Sequence, residues 1–298
     1  MDKVKVKPLR VSIVGAGNLG TALALSLSRA GYAVRVLAVR SPKRMPSHTL
    51  KLARRLKAKL VALGETALDT DLVWITVPDD VIGAVAARLA PTQEWRGRTV
   101  FHSSGALTSD VLAPLRKKGA RVASVHPAMT FVHRSMPRLE GVSFGIEGDP
   151  AAVRIAKEIV RTLGATPHLI RKENKVLYHA FGSFASPMLI GLMAALEQVG
   201  RAAGIKPAYL RTMAAPLLRQ TLSNYLEHGE AAAFSGPLVR GDVVTIRRHL
   251  EALRKVPQAL EVYLALAKIA VKDLPVKNRK ALERELSGHR ISQPATSS

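Results

Sequence analysis

The apolar run Val11–Val14 gives way at Leu19 to helical spacing. Leu19, Ala22, Leu23, Ser26, Leu27 and Ala30 share one face, and Gly31 stands where that helix should end. A second apolar run, Ala33–Val39, follows at once. Strand, tight turn, helix and strand within about thirty residues make a βαβ unit, which requires a parallel sheet. The alternation continues with helices predicted at 50–57, 81–89, 109–117 and 151–163, and strands at 72–77, 99–102, 121–125, 142–146 and 167–170. Residues 1–172 are therefore expected to form an α/β domain built on a doubly wound parallel sheet.

Beyond Lys172 the strand signals stop. Apolar-periodic segments at 174–203, 208–226 and 243–271 predict an all-helical C-terminal domain over 173–287, suited to substrate contacts and dimerisation. The final stretch HRISQPATSS has no periodicity, so 288–298 is expected to be a disordered tail.

Two domains suit a chain of 298 residues that is 47% hydrophobic. The absence of cysteine excludes disulfides, thiolate nucleophiles and Cys-ligated metal centres, fits a reducing cytoplasm, and leaves no metal site expected. Lys3, Lys5, Lys7 and Arg10 precede an apolar run too short for a signal-peptide core, so a cytoplasmic location is expected. The longest uncharged run, Ala180–Leu196, is shorter than the ~20 residues of a bilayer span and contains Gly182, Pro187 and Gly191. It reads as a buried helix at the interface of a homodimer, with no membrane contact expected. The net charge of +23 includes seven basic residues between Lys43 and Lys59 without one acid. Such a surface attracts polyanions, but no nucleic-acid motif accompanies it, so it reads as a solvated basic face without a specific nucleic-acid partner.

Candidate chemistry begins at the first turn. Gly15, Gly17 and Gly20 have the G-x-G-x-x-G spacing, between a strand and a helix that opens by Leu19. Gly15 permits the turn, Gly17 lets a pyrophosphate approach the backbone, and Gly20 lets the helix lie close to the sheet, with Asn18 and Leu19 carrying N–H groups toward the anion. A site for NAD usually places an acid at the end of the second strand. Here Arg40 and Ser41 stand there, followed by Lys43 and Arg44, which suits the 2′-phosphate of NADP(H). Val77 and Pro78, at the end of the Leu72 strand, complete the expected cofactor set.

Polar residues at later strand ends are the next candidates. Asp79 and Asp80 read as helix-capping acids with no catalytic role. His102, Ser103 and Ser104 suit either a nicotinamide or substrate pocket, or a satisfied strand-end turn. His126, before Pro127, suits either a proton donor or a hydrogen-bonded turn. Lys175 and His179 share a helix face, as do His179 and Ser183, which fits a substrate site or ordinary polarity. Arg240 and Asp242 suit an anionic substrate, a mutual ion pair, or a cap on the helix beginning near Val243.

The motifs GAGNLG, TVPDD, FHSSGAL, HPAMTF and SGPLVRGD, in this order and reaching to about Leu274, resemble the Rossmann-like proteins whose helical half is catalogued as domain of unknown function 2520. HPAMTF and SGPLVRGD are the specific ones. That family is related to pyrroline-5-carboxylate reductases and, more distantly, to 6-phosphogluconate and 3-hydroxyisobutyrate dehydrogenases. The resemblance implies an NADP-linked oxidoreductase whose helical domain supplies substrate contacts and a dimer interface. It supplies no substrate: Leu238-Val239-Arg240-Gly241-Asp242 departs from the pyrroline-5-carboxylate reductases, and the hydroxyacid dehydrogenases follow their catalytic lysine with asparagine where Lys175 is followed by His179.

The expected activity is hydride transfer between NADPH and a small polar carbonyl or imine compound bound between the domains. His126, Lys175 and His179 are the candidate proton donors, and Ser103, Ser104 and Arg240 the substrate-binding groups. The alternative is a non-catalytic NADP(H)-binding sensor or scaffold dimer.

Overall fold

The computed structural model describes residues 9–41, 46–132 and 137–288. By internal packing the chain divides into two compact units, Met1–Phe184 and Ala185–Ser298. The division lies beyond the expected boundary at Lys172, so Lys175 and His179 belong to the first unit. The expected tail, apart from Gly288, lies outside the described residues, as do Lys3, Lys5, Lys7, Lys43 and Arg44.

The first unit runs β1 (Arg10–Val14), α1 (Asn18–Arg29), β2 (Ala33–Val39), α2 (Ser47–Leu56), β3 (Lys59–Ala62), β4 (Leu72–Ile75), α3 (Asp79–Leu89), β5 (Thr99–His102), α4 (Ala113–Arg116), β6 (Arg121–Pro127), β7 (Ser143–Gly148), α5 (Pro150–Thr162), β8 (Thr166–Leu169) and α6 (Lys175–Ser183). One eight-stranded sheet has the order β3-β2-β1-β4-β5-β6-β7-β8. The strand order reverses between β1 and β4, which opens a crevice at their carboxyl ends. Buried Ile13 packs with Leu23 and Leu27 of α1, while its neighbour Val14 packs with Ile82 and Val85 of α3. Alternate residues of one strand thus anchor helices on opposite faces, the doubly wound arrangement.

Three expectations require correction. The sheet is not wholly parallel: β7 pairs antiparallel with β6, so that His126 lies opposite Gly145. β3 was not foreseen, because Lys59-Leu60-Val61-Ala62 directly follows the basic helix and is too short to show a period of its own. The helix expected at 109–117 is a 3₁₀ turn, Ser109–Leu112, followed by the single turn α4.

The second unit contains α7 (Leu189–Ala202), α8 (Pro207–Ala233), α9 (Pro237–Arg240), α10 (Val243–Leu253), α11 (Pro257–Asp273) and α12 (Arg279–Ser287). The apolar segment 243–271 is two helices, since Pro257 cannot continue α10 and fixes the start of α11. The long expected segment from Asn174 is interrupted by a π turn at Phe184–Met188, where Pro187 lacks an N–H. Ile246, Leu250, Leu264, Val271, Leu282 and Leu286 form the buried centre of this unit.

The Ala180–Leu196 run is helical, but none of it is buried within the chain. Phe181, Phe184, Met188 and Ile190 are 70%, 73%, 55% and 67% exposed. Among the described residues, Lys172–Ala202 is the one helix long and apolar enough to cross a membrane by length and composition.

Candidate active site

The crevice at the carboxyl ends of β1, β2 and β4 holds a cleft of about 920 Å³. Gly15, Gly17, Arg40, Ser41, Val77 and Pro78 all line it, so most of the expected cofactor set is gathered around one cavity. Gly15 has φ +98°, a conformation that favours glycine, and its carbonyl accepts the Thr76 hydroxyl at 2.7 Å. A Cβ on Gly20 would collide with that same carbonyl and with Thr76 Oγ1, which is why α1 can lie so close to the strand ends. A Cβ on Gly17 would meet nothing within 4 Å, leaving its backbone open to a ligand. Arg40 is exposed, and no Asp or Glu among the described residues lines the cleft.

Asn18, Leu19 and Gly20 of that set are not among the lining residues. Asn18 Nδ2 donates to the Phe131 carbonyl at 3.0 Å, tying the first turn to the segment after β6, and Leu19 packs partly buried against the core. Arg44 lies outside the described residues.

Further along the same edge of the sheet, the ends of β5 and β6 carry a second cluster. His102 is fully buried. Its Nδ1 accepts from the Ser104 amide at 3.1 Å, which leaves the Nε2 proton for the Thr108 carbonyl at 3.2 Å. Burial, then the nearby Lys175 charge, hold its pKa down to about 3. Ser103 Oγ accepts from Trp74 Nε1 at 2.8 Å. Ser104 Oγ donates to Asp79 at 2.6 Å and accepts from the amides of Ala106 and Leu107. Both serine hydroxyls are thus engaged within the protein. Asp79, expected only to cap α3, makes no such cap and instead fixes the serine turn.

Lys175, at the start of α6, is 1% exposed. Its ammonium donates to the Ser104 carbonyl at 3.0 Å and to Ser124 Oγ at 2.7 Å, and Ser124 donates to the same carbonyl at 3.1 Å. Burial lowers its pKa to about 8, against the pull of Glu147 and Asp79. Glu147 is itself buried, accepting from the amide and hydroxyl of Ser109 at 2.6 and 2.9 Å.

Above Lys175 three rings meet. His126 Nδ1 and Tyr178 OH share a hydrogen bond of 2.9 Å, their rings edge to face. The exposed His179 ring stands 6.1 Å from His126, and the Lys175 ammonium lies 5.7 Å from the centre of the Tyr178 ring. Two glycines make the room: a Cβ on Gly105 would come within 2.8 Å of His126 Nε2, and one on Gly145 would strike the Tyr178 phenol. Burial, then Lys175, lower the His126 pKa to about 4, so the imidazole is neutral at neutral pH. Burial raises that of Tyr178, opposed by a hydrogen bond with the Gly145 backbone.

The signature described as a Rossmann-like domain matches residues 2–127, and that of domain of unknown function DUF2520 matches 142–270. The chain is a Rossmann-like protein with a DUF2520 domain. Its fold is shared with protein TM1727 from Thermotoga maritima, at TM-score 0.70 and 23% identity over 92% of this chain and 99% of that one. An imine reductase from Myxococcus stipitatus in complex with NADP+ superposes at TM-score 0.65, with 15% identity over 93% and 99% of the two chains. A reductive aminase from Aspergillus terreus in complex with NADPH superposes at 0.61, with 17% identity over 93% and 99%. By sequence, a glycerol-3-phosphate dehydrogenase [NAD(P)+] from Yersinia pestis is 32% identical over 112 residues, which is 34% of this chain and only 33% of that protein.

His126, Lys175 and His179 thus fall together in the first unit, the last two within the span matched as DUF2520. Arg240 is exposed at the end of α9 in the second unit, and its neighbour Asp242 caps α10, accepting from the Thr245 amide at 3.0 Å and hydroxyl at 2.7 Å. Tyr178, Ser124 and Glu147 were not singled out from the sequence, and Asp79 was read only as a cap. The spacing of Lys175, Tyr178 and His179, i, i+3 and i+4, was the available signal for the first. Among the described residues no group of three or more His, Asp or Glu could hold a metal ion.

Proposed function

We propose that the chain is an NADP(H)-dependent oxidoreductase acting on a small carbonyl or imine compound. The carrying observation is the placement of two sites on one sheet edge: the acid-free glycine cleft at β1, β2 and β4, and the Lys175–His126–Tyr178 cluster at β5 and β6. The cleft fits the cofactor. Gly15 and Gly17 leave backbone for a pyrophosphate, and Arg40 and Ser41 offer a charged and a hydroxyl donor to a 2′-phosphate. The solved relatives with NADPH or NADP+ bound agree with this reading. Bound there, the dinucleotide would supply or accept the hydride.

The chain's own part is to orient the substrate and manage one proton. His126 is neutral, and with the Tyr178 hydroxyl on Nδ1 it carries its proton on Nε2, the atom over Gly105. It gives that proton to a developing oxyanion or amide nitrogen and takes the phenolic proton at Nδ1, so the imidazole stays neutral throughout. The ammonium of Lys175, near the Tyr178 ring, offsets the charge left on the phenol. His179 faces the same space, while Ser103, Ser104 and Asp79 hold the turn rigid. Arg240 remains the proposed group for an acidic substrate, the cytoplasm the proposed location, and the homodimer the proposed assembly, which would cover the apolar surface from Phe181 to Ile190.

Calorimetric titration with NADPH and NADH in parallel tests the cofactor. Tight binding of NADPH and weak binding of NADH is expected. Arg40→Ala should weaken NADPH roughly tenfold to hundredfold and leave NADH nearly unchanged, as for loss of hydrogen bonds to a charged group. Equal losses would sink the 2′-phosphate assignment. NADPH oxidation with aldehydes, ketones and cyclic imines then tests the chemistry, with His126→Gln expected to lose turnover and retain cofactor affinity.

A further inference from the structure

The cleft has a wall to which the reading above gives no role. Along α3, Val81, Ala84, Val85 and Arg88 line it at positions i, i+3, i+4 and i+7, a single helical stripe of small apolar side chains that ends in a guanidinium. Arg88 is exposed, but its stem lies against the backbone of a neighbouring turn. A Cβ on Gly64 would lie 2.6 Å from both its Cγ and its Nε, so the arginine stem runs directly over that glycine. Gly64 has φ +76° and follows β3, whose Ala62 pairs with Val39 of β2. The Leu63 amide continues the ladder to the Val39 carbonyl at 2.9 Å. Arg88 therefore crosses from α3 to the turn after β3, and it lines the same cleft as Arg40 and Ser41 at the end of β2.

The geometry points to Arg88 as the residue that covers the adenine ring of the dinucleotide, holding it against the Val81–Ala84–Val85 stripe. This inference rests on the cofactor reading above. A phosphate is best met by several donors, which Arg40 and Ser41, adjacent in the cleft lining, can supply. A flat base needs apolar contact on its faces, and a guanidinium plane supplies one such face. Gly64 then has a reason beyond its own turn: any side chain there would displace the arginine from its track.

Calorimetry on the full chain with NADPH, NADH and 2′,5′-ADP, for Arg88→Ala, Arg88→Lys and Arg40→Ala, tests this. Arg88→Ala should weaken NADPH and NADH by the same factor, roughly two- to thirtyfold for a lost cation–π contact, and Arg88→Lys should not restore the loss. Arg40→Ala should instead weaken NADPH and 2′,5′-ADP while sparing NADH. A loss confined to NADPH and 2′,5′-ADP in Arg88→Ala would mean that Arg88 serves the phosphate, and would overturn the assignment. Unchanged affinities, or full rescue by lysine, would overturn it too. Wild-type protein that binds neither dinucleotide defeats the cofactor reading itself, a result distinct from any pattern among the variants.

Discussion

Lys175 is buried and donates to two oxygens, and its pKa falls from 10.5 to about 8 because burial outweighs the attraction of Glu147 and Asp79. Between those two values the unfolded chain holds a proton that the folded chain has released. Stability contributed by this group therefore rises with pH from about 8 to 10.5, and Lys175→Met should flatten that part of a denaturation-against-pH curve. The histidines have the same sign in another window: His126 at about 4 and His102 at about 3 lie below their ordinary 6.5, so stability falls as pH drops from 6.5 toward those values. If the Lys175 charge supports proton delivery, reductive turnover should decline as pH rises through about 8, and Lys175→Met should abolish that limb of a kcat profile. Gly105→Ala tests the ring cluster directly. Its Cβ would press on His126 Nε2 at 2.8 Å, and a displacement of that size should lower kcat on the order of a hundredfold with NADPH affinity retained. A kcat profile without the limb near 8, or a fully active Gly105→Ala, would remove the proposed roles. That the glycines and Arg40 gather at one cleft was legible because a strand–turn–helix unit brings the first turn beside the end of the second strand. Tyr178 was not, since its place depends on Gly145, which only the β6–β7 pairing brings opposite His126.

At the scale of elements, legibility followed length and period. The strands Ala33–Val39 and Thr99–His102 were readable to the residue because each is an apolar run bounded by breakers or charge. The direction of β7 was not, because hydrophobic alternation records which face is buried and carries nothing about parallel or antiparallel pairing. α12 escaped notice for a related reason: only Leu282 and Leu286 are buried among the charges of Arg279–Ser287, too few to establish a period. The start of α10 offers a stability test within the second unit. Asp242 accepts both the amide and the hydroxyl of Thr245, and those bonds lower its carboxyl pKa. Asp242→Ala should lower the urea-unfolding midpoint, as for loss of a helix N-cap, while Asp242→Asn should lower it less. Equal stabilities would show that the cap contributes nothing to this helix.

For the whole molecule the unresolved demand is the apolar surface on α6, the π turn and α7. Phe181, Phe184, Met188 and Ile190 are each more than half exposed, and α8 adds Met213, Leu217 and Leu226 at 61%, 70% and 79%. The sequence reading of Ala180–Leu196 placed its burial at a subunit interface, and burial by a second molecule leaves the same apolar pattern as burial within the fold. Large apolar side chains exposed to this degree along one helical run are seldom left to water by a soluble monomer. Two surroundings would satisfy it, a second copy of the chain or lipid, since Lys172–Ala202 has the length and composition of a membrane-crossing helix. The two make opposite predictions in detergent-free buffer. A dimer should sediment at twice the mass of the chain and dissociate or aggregate when Phe181 and Phe184 are both replaced by Gln, because each loses a buried ring worth about 1.5–3 kcal/mol. Those same changes should leave the glycine cleft intact, so NADPH affinity in the monomeric fraction reports whether the first unit remains folded. A chain that stays in solution only with detergent, or that sediments as a monomer with this surface unchanged, would exclude the homodimer.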